Sequence, residues 1–519
     1  MKKVKKWVAS LLVCALLLSM TACGVGSGNS SSSGDLSSVG TVSETTSQNA
    51  GGEKSSDEVV TVNLRYSVAT IPPLEEAISG VEDAISEYCQ ENGYNLALDF
   101  DVTTIAEYQT AIPLGLSSGE EMGIIMVTNQ QDFVNNGYLV PLQDYLDNEL
   151  AGINELEGDW LVCGTTGGNL YSIPCHKGWV LTYKWIYDTQ YTDGINLDKS
   201  QITDFDSLMP VFEQLHAAYP DVYIMPDTSS LPGFFNEMMD TSLIGTYFAT
   251  VGDDPTLVNY FETEAFQRSL EVAYQFRQNG WVSDEGSASS LAATDMFFNG
   301  VAMSEIWGHG NTEESTAEAY DVLSTVGAQY DAIELGVSTA MTTLGINYGV
   351  AYTCPDPAAA AQMLDLMWTD EFVMNTMIYG LEGRDYVWND DHTAIRFPDG
   401  VDTANSEYNC YLNSAIFGNQ LTAYPFEGYL TVEDQEYMQE NIDNAQYAPL
   451  FGFSPDATNV STQLAAVSNV YNQYYNALIY GDVDPDVVLP EFLSALEAAG
   501  INDILTEYQT QVTQWLENQ

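Results

Sequence analysis

Apolar and polar positions alternate from Val60 onward: Val60, Val62, Leu64 and Tyr66 share one side of "VTVNLRY". That period of two predicts a half-buried strand. In "PPLEEAISGVEDAISEYCQENG" the period lengthens, and Leu74, Ala77, Ile78, Val81, Ala84, Ile85 and Tyr88 form one helical stripe. Proline opens this helix and Gly93 closes it. "NLALDFDV" returns to alternation at Leu96, Leu98, Phe100 and Val102. After a proline-interrupted helical stretch, "MGIIMVTN" is a short apolar run of the kind a parallel strand shows when buried on both faces. Strand–helix–strand units of this kind predict an α/β fold with an open sheet, in which ligands bind beyond the carboxyl ends of the strands.

The middle of the chain is richer in helix. Residues 205–219 and 262–279 read as amphipathic helices, the second turning Phe266, Leu270, Ala273 and Tyr274 inward. "VAMSEIW" is strand-like, and "AYTCPDPAAAAQMLDLMW" reads as a strand, a turn and a helix starting near Pro357. The last sixty or so residues predict three helices, the first two ending at Gly481 and Gly500. The acidic "DVDPD", Asp482 to Asp486, lacks calcium-loop spacing: Val487 and Leu493 stand where Gly and Glu are needed. It reads as the acidic start of a helix.

The N-terminus has a different pattern. Lys2, Lys3, Lys5 and Lys6 precede an apolar run from Trp7 to Leu18, too short to span a bilayer, and Thr21 and Ala22 lead into Cys23. This order resembles the lipobox of bacterial lipoproteins, which implies a signal peptide at 1–22 and lipidation of Cys23. Two acyl chains are what a stable anchor needs. Residues 23–57 are rich in Gly, Ser, Thr and Asn, too polar to bury a core. They read as a flexible tether of roughly 30–35 Å reach.

Charge narrows the partners. Beyond residue 22 nine Lys and Arg face 74 Asp and Glu, a net charge of −65. That excludes nucleic acid and electrostatic adhesion to an anionic surface. Four histidines and no paired Cys/His spacing give no zinc motif, and no cofactor is implied. Cys163 and Cys175 flank a turn-like segment, so a bridge between them is one expectation.

Several segments, in order, resemble the substrate-binding lipoproteins of bacterial ABC importers, in the sugar-binding branch. They are "NLYSIPCHKGWVLTYKWIYDTQYTDG", "MFFNGVAMSEIWGHG", "NYGVAYTCPDPAAAAQMLDLMW", "YGLEGRDYVWNDD" and "FGNQLTAYPFEG". The final "PLFGFSPDATNVSTQLAAVSNV…GDVDPDVVLPEFLSALEAAGI" is similar to a subgroup with a C-terminal helical region of unassigned function. The resemblance implies a type II periplasmic-binding-protein-like fold: two α/β lobes joined at a hinge, with ligand held between them. The implied division is residues 58–178 plus about 346–400 for the first lobe, and 179–345 plus about 401–519, with the C-terminal helices, for the second. It further implies a non-enzymatic protein on the outer face of the cell membrane that passes its ligand to ABC permease subunits.

Sugars present apolar faces and rings of hydroxyls, which suit flat aromatics beside polar side chains. On the matched segments these are His176, Trp179 and Tyr183 at the first crossing, Trp307 and His309 after "VAMSEI", Asn347 and Tyr348 at the later crossing, and Glu382, Arg384, Tyr386 and Trp388 in "LEGRDYVW". The last group also reads as a turn tied by an Arg–carboxylate pair. The content of 32 Tyr and 9 Trp favours an oligosaccharide, although a peptide would suit similar surfaces. A carbohydrate-active enzyme and a polymer-holding surface lipoprotein are the alternatives. The sequence has no H-E-x-x-H and no P-loop.

Overall fold

The computed structural model describes residues 59–68, 72–283, 293–337, 346–402, 405–408 and 416–518. The expected signal peptide and tether, Cys23 and Cys410 lie outside them. Among the described residues no helix is long and apolar enough to cross a membrane.

The first lobe is built on a five-stranded sheet. Strands Val60–Val68 and Leu96–Thr104 pair in parallel from Val60 opposite Leu96 to Val68 opposite Thr104. Ile124–Val127 adds in parallel on the other side of Val60–Val68. Asn347–Val350 and then Ile173–Pro174 complete the sheet antiparallel. The alternating residues face inward as expected: Val62, Leu64 and Tyr66 are buried, and so are Leu96, Leu98, Phe100 and Val102. All four residues of Ile124–Val127 are buried, which explains why that strand reads as an unbroken apolar run. Helix Glu75–Glu91 covers the sheet with Ala77, Val81, Ile85 and Cys89. Leu74 leaves the expected stripe because it is the N-cap, with an extended backbone, and it stays exposed.

The second lobe centres on an antiparallel sheet with Thr182–Asp188 between Ser304–His309 and Tyr330–Val337. Alternation along the central strand sends Tyr183, Trp185 and Tyr187 toward a core shared with helices Phe205–Ala218, Leu231–Met238 and Glu264–Gln278. Ile186 faces the opposite side, with Phe297, Phe298, Tyr320 and Tyr330.

A further core joins the three C-terminal helices, Ser461–Ile479, Pro485–Ala499 and Ile501–Glu517, to strands Thr241–Ile244, Phe248–Val251 and Asp254–Asn259. Thr228 Oγ1 donates to the Ile479 carbonyl at 2.6 Å, and Leu257 N donates to Gln509 Oε1 at 2.7 Å. Arg277 pairs with Asp482. The predicted helix ends hold. Gly481 has φ of 66°, and a Cβ there would sit 2.3 Å from the Ala273 carbonyl oxygen, so only glycine lets the helix end lie on its neighbour. The acidic turn also reads as expected, since Asp484 caps Pro485–Ala499.

Two expectations change. Tyr408, Ile416, Phe417, Ala423, Phe426, Leu430 and Met438 belong to the first-lobe core, although they fall in the stretch assigned from sequence to the second lobe. Hydrogen bonds bring the chain back: Tyr408 to the Met377 carbonyl at 2.7 Å, and Tyr348 to the Ile416 carbonyl at 3.1 Å. Cys175 is a buried free thiol, so no bridge joins it to Cys163. Burial in apolar surroundings pushes the Cys175 thiol up to about 12.

Candidate functional site

Three chain segments run side by side where the lobes meet. Cys175 N donates to the Ile346 carbonyl at 2.9 Å, and His176 N donates to the Gly418 carbonyl at 2.9 Å. Gln420 N returns a bond to the His176 carbonyl at 2.8 Å. Helix Val432–Asp443 lies against this junction. Its buried Asp434 closes a capping box with Thr431 and also accepts from Thr312 N at 2.9 Å. Thr312 is itself the N-cap of the second-lobe helix Glu313–Leu323. One carboxylate thus satisfies orphan donors at two helix starts on either side of the junction.

At the carboxyl end of Ile124–Val127 a neutral polar cluster forms. Ser172 Oγ donates to Gln130 Oε1, Gln130 Nε2 donates to Thr166 Oγ1 at 3.1 Å, and Asn347 Nδ2 reaches Ser172 Oγ at 3.0 Å and the Cys163 carbonyl at 3.2 Å. Asn347 Oδ1 and Ser67 Oγ, the latter near the carboxyl end of the first strand, are buried without hydrogen-bond partners among the described residues. Unpaired buried polar atoms are costly, and here they lie at the sheet edge where α/β folds bind ligands. Of these residues only Asn347 stood out in the sequence. The place of Gln130 just past "MGIIMV" was the signal for it; Ser172 gave none.

The other sequence candidates fall into separate places. His176 is buried, 3.3 Å from Glu157 Oε2, with its ring 4.9 Å from that of Trp160. Trp179 is buried too; its Nε1 donates to the Cys175 carbonyl at 2.8 Å and Lys177 Nζ lies 4.2 Å from its ring centre. Tyr183 packs edge-on to Phe234 on the helical side of the second-lobe sheet. Tyr348 is a core residue, fully enclosed with Trp368 and Phe417. Glu382, Arg384, Tyr386 and Trp388 gather in the first lobe. Arg384 holds Asp385 through Nε at 2.9 Å and Nη2 at 2.6 Å, and Nη2 also donates to the Ala77 carbonyl at 3.1 Å. That is the turn the Arg–carboxylate reading describes. Glu382 is exposed, Tyr386 is buried near Tyr424, and Trp388 stacks on His392 at 5.6 Å.

Trp307 and His309 share a side of the strand Ser304–His309, with Glu305. Trp307 is half-buried against the Phe297 cluster. Tyr320 donates to Glu305 Oε1 at 2.5 Å and stands 3.1 Å from His309 Nε2, which leaves Nε2–H as the donor of that second bond. Burial, with Asp227 nearby, pushes the Glu305 carboxyl up to about 7. Burial, with Lys184 nearby, holds the His309 imidazole down to about 3. Lys184 is fully buried beside Thr182 and the Tyr437 ring, and burial lowers its ammonium to about 8 against the pull of Glu334, Glu313 and Asp434.

The stretch Gly115–Gly119 has G-x-S-x-G spacing, but it ends helix Ile105–Ser118, and Ser117 Oγ bonds back to the Leu114 carbonyl. A nucleophile elbow needs a strand-to-helix turn instead. No group of three metal-ligating side chains forms among the described residues.

Known proteins agree with this architecture. A domain of unknown function, DUF3502, matches residues 449–517. A carbohydrate ABC transporter substrate-binding protein of Streptococcus pneumoniae serotype 4 is 22% identical over 529 aligned residues, covering 100% of both chains. The crystal structure of the N-glycan transport solute-binding protein NgtS from Streptococcus pneumoniae superposes with a TM-score of 0.73 at 20% identity, covering 88% of this chain and 99% of that one. The same protein in complex with Man5GlcNAc superposes less well, at 0.62 and 19% identity over the same shares. The two-lobed fold and the end-to-end match make the chain similar to a carbohydrate ABC transporter substrate-binding protein.

Proposed function

We propose that this protein captures a neutral oligosaccharide between its two lobes and delivers it to ABC permease subunits, acting by binding rather than catalysis. The observation that carries this reading is the relationship, over the whole chain, to a carbohydrate ABC transporter substrate-binding protein on a two-lobed fold. The neutral cluster of Gln130, Ser172 and Asn347 supports it, since amides and hydroxyls match sugar hydroxyls without demanding charge. So does the acidic chain, which disfavours anionic solutes. Within the same reading Cys23 carries the lipid anchor, and the binding lobes work at the outer face of the membrane. Trp307, half-buried on the second-lobe strand, is the aromatic assigned to stack on a sugar face.

Calorimetric titration of the folded chain with Man5GlcNAc, Man1GlcNAc, maltotriose, kestose and a tripeptide tests the reading. Saturable heat with at least one oligosaccharide and none with the tripeptide is expected. A response to the tripeptide alone would overturn it.

A further inference from the structure

A cavity of about 320 Å³ lies at the seam between the second lobe and the C-terminal helices. Helix Leu231–Met238 supplies one wall through Asn236, and helix Ser461–Ile479 supplies the opposite wall through Tyr471 and Tyr475. Tyr260 borders it from the second lobe, and Ser454, which is exposed, stands at its edge. Neither part of the chain forms this space alone.

In a chain of net charge −61, no lining residue is charged. The rings of Tyr471 and Tyr475 stack at 4.4 Å, giving an aromatic wall. Asn236 is 5% exposed; its side chain is hydrogen-bonded to Tyr260, and its Oδ1 finds no hydrogen-bond partner among the described residues. A buried amide oxygen without a donor is an expensive feature. Aromatic walls with a few convergent neutral polar groups are what small-molecule pockets of about 300 Å³ and above present. The loop beside the cavity also touches the first lobe. Trp160 Nε1 donates to Tyr447 Oη at 2.8 Å, and Asp456 is hydrogen-bonded to Asn135.

We propose that this cavity is a sugar-binding subsite in which the C-terminal domain holds one neutral, hexose-sized unit of the captured oligosaccharide, its hydroxyl donating to Asn236 Oδ1 and its apolar face lying on the tyrosines. The inference rests on the oligosaccharide reading above and gives the C-terminal domain a part in recognition. Such a unit brings the donor that Asn236 Oδ1 lacks and the CH surface that aromatic rings accept, and it carries no charge to be repelled by the acidic chain.

The test titrates the glycan panel above into the full chain and two variants. Ser454→Trp fills the mouth of the cavity from an exposed position, and Asn236→Leu removes the unpaired acceptor. Each variant is first compared with the wild type by thermal melting without glycan. Ser454→Trp keeps the measurement decisive should Asn236→Leu melt early. At least tenfold weaker binding of the best oligosaccharide is expected for both, with Ser454→Trp melting as the wild type does. Binding within twofold of wild type in a folded Ser454→Trp would overturn the subsite and leave the oligosaccharide reading standing. No oligosaccharide heat from the wild type would overturn both.

Discussion

Each lobe buries a polar cluster beside the junction, and the two clusters differ in character. The first lobe gathers Gln130, Ser172 and Asn347, which stay neutral at any ordinary pH. The second gathers Lys184, Glu305, His309 and Glu334, all ionisable, on one side of its sheet or at its rim. The second set is satisfied internally: Tyr320 joins Glu305 to His309, and Tyr437 donates to Glu334 Oε2 at 2.6 Å. The first set keeps an orphan in Asn347 Oδ1. A satisfied network fixes structure, whereas an unsatisfied one at a strand end is poised for a ligand. By that contrast we propose the first-lobe cluster for recognition and the second-lobe cluster for holding the sheet.

The strongest way to break the contrast is at the residue that ties the two regions together. Asp434→Ala leaves Thr312 N and Thr431 N, both now bonded to its carboxylate, without their acceptor. Because hydrogen bonds to a charged group are worth about 1.5–3 kcal/mol each, a stability loss of about 3 kcal/mol is expected in urea denaturation. A loss under 1 kcal/mol would mean that the carboxylate does not couple the two helix starts.

Gln130→Ala probes the first cluster by itself. Removing one of a few polar contacts is expected to weaken oligosaccharide binding about tenfold, or 1.4 kcal/mol. Stability should change little, since Gln130 is only partly buried. Unchanged affinity in calorimetry would move recognition away from this edge.

A smaller effect sharpens the second cluster. Glu305 titrates near 7 in the fold instead of 4.5, so between those values the native state holds more protons than the unfolded chain, and this group makes stability fall as pH rises. His309 titrates near 3 instead of 6.5, so the unfolded chain holds more protons, and this group makes stability rise with pH. From pH 4.5 to 6.5 the two oppose each other. Glu305→Gln removes the falling contribution, so stability should climb more steeply from pH 5 to 6.5 than in the wild type. Urea midpoints at the two pH values read this directly. An unaltered slope would remove Glu305 from the titrating set.

Much of the fold is legible in the chain because its signals are local. Alternation places Val62 to Tyr66 and Leu96 to Val102, and glycines at 481 and 500 end their helices where expected. What fails to show is what depends on distant partners. The return of Tyr408 to Met438 to the first core follows from pairing at His176 and Tyr348, which no local pattern carries. Tyr348 and Trp307 look alike in sequence, as aromatics on strand-like runs, yet one is sealed in a core and the other is half-buried. The Gln130–Ser172–Asn347 cluster assembles from three separate segments, so only its strand-end position hints at it.

We propose that an oligosaccharide is captured by closing the lobes on it, and ligand can drive closure only by binding the closed form more tightly than the open one. Small-angle scattering of the chain with and without a saturating oligosaccharide, identified by the titration, measures that step. A smaller radius of gyration is expected with the sugar bound. An unchanged radius at proven saturation would contradict it.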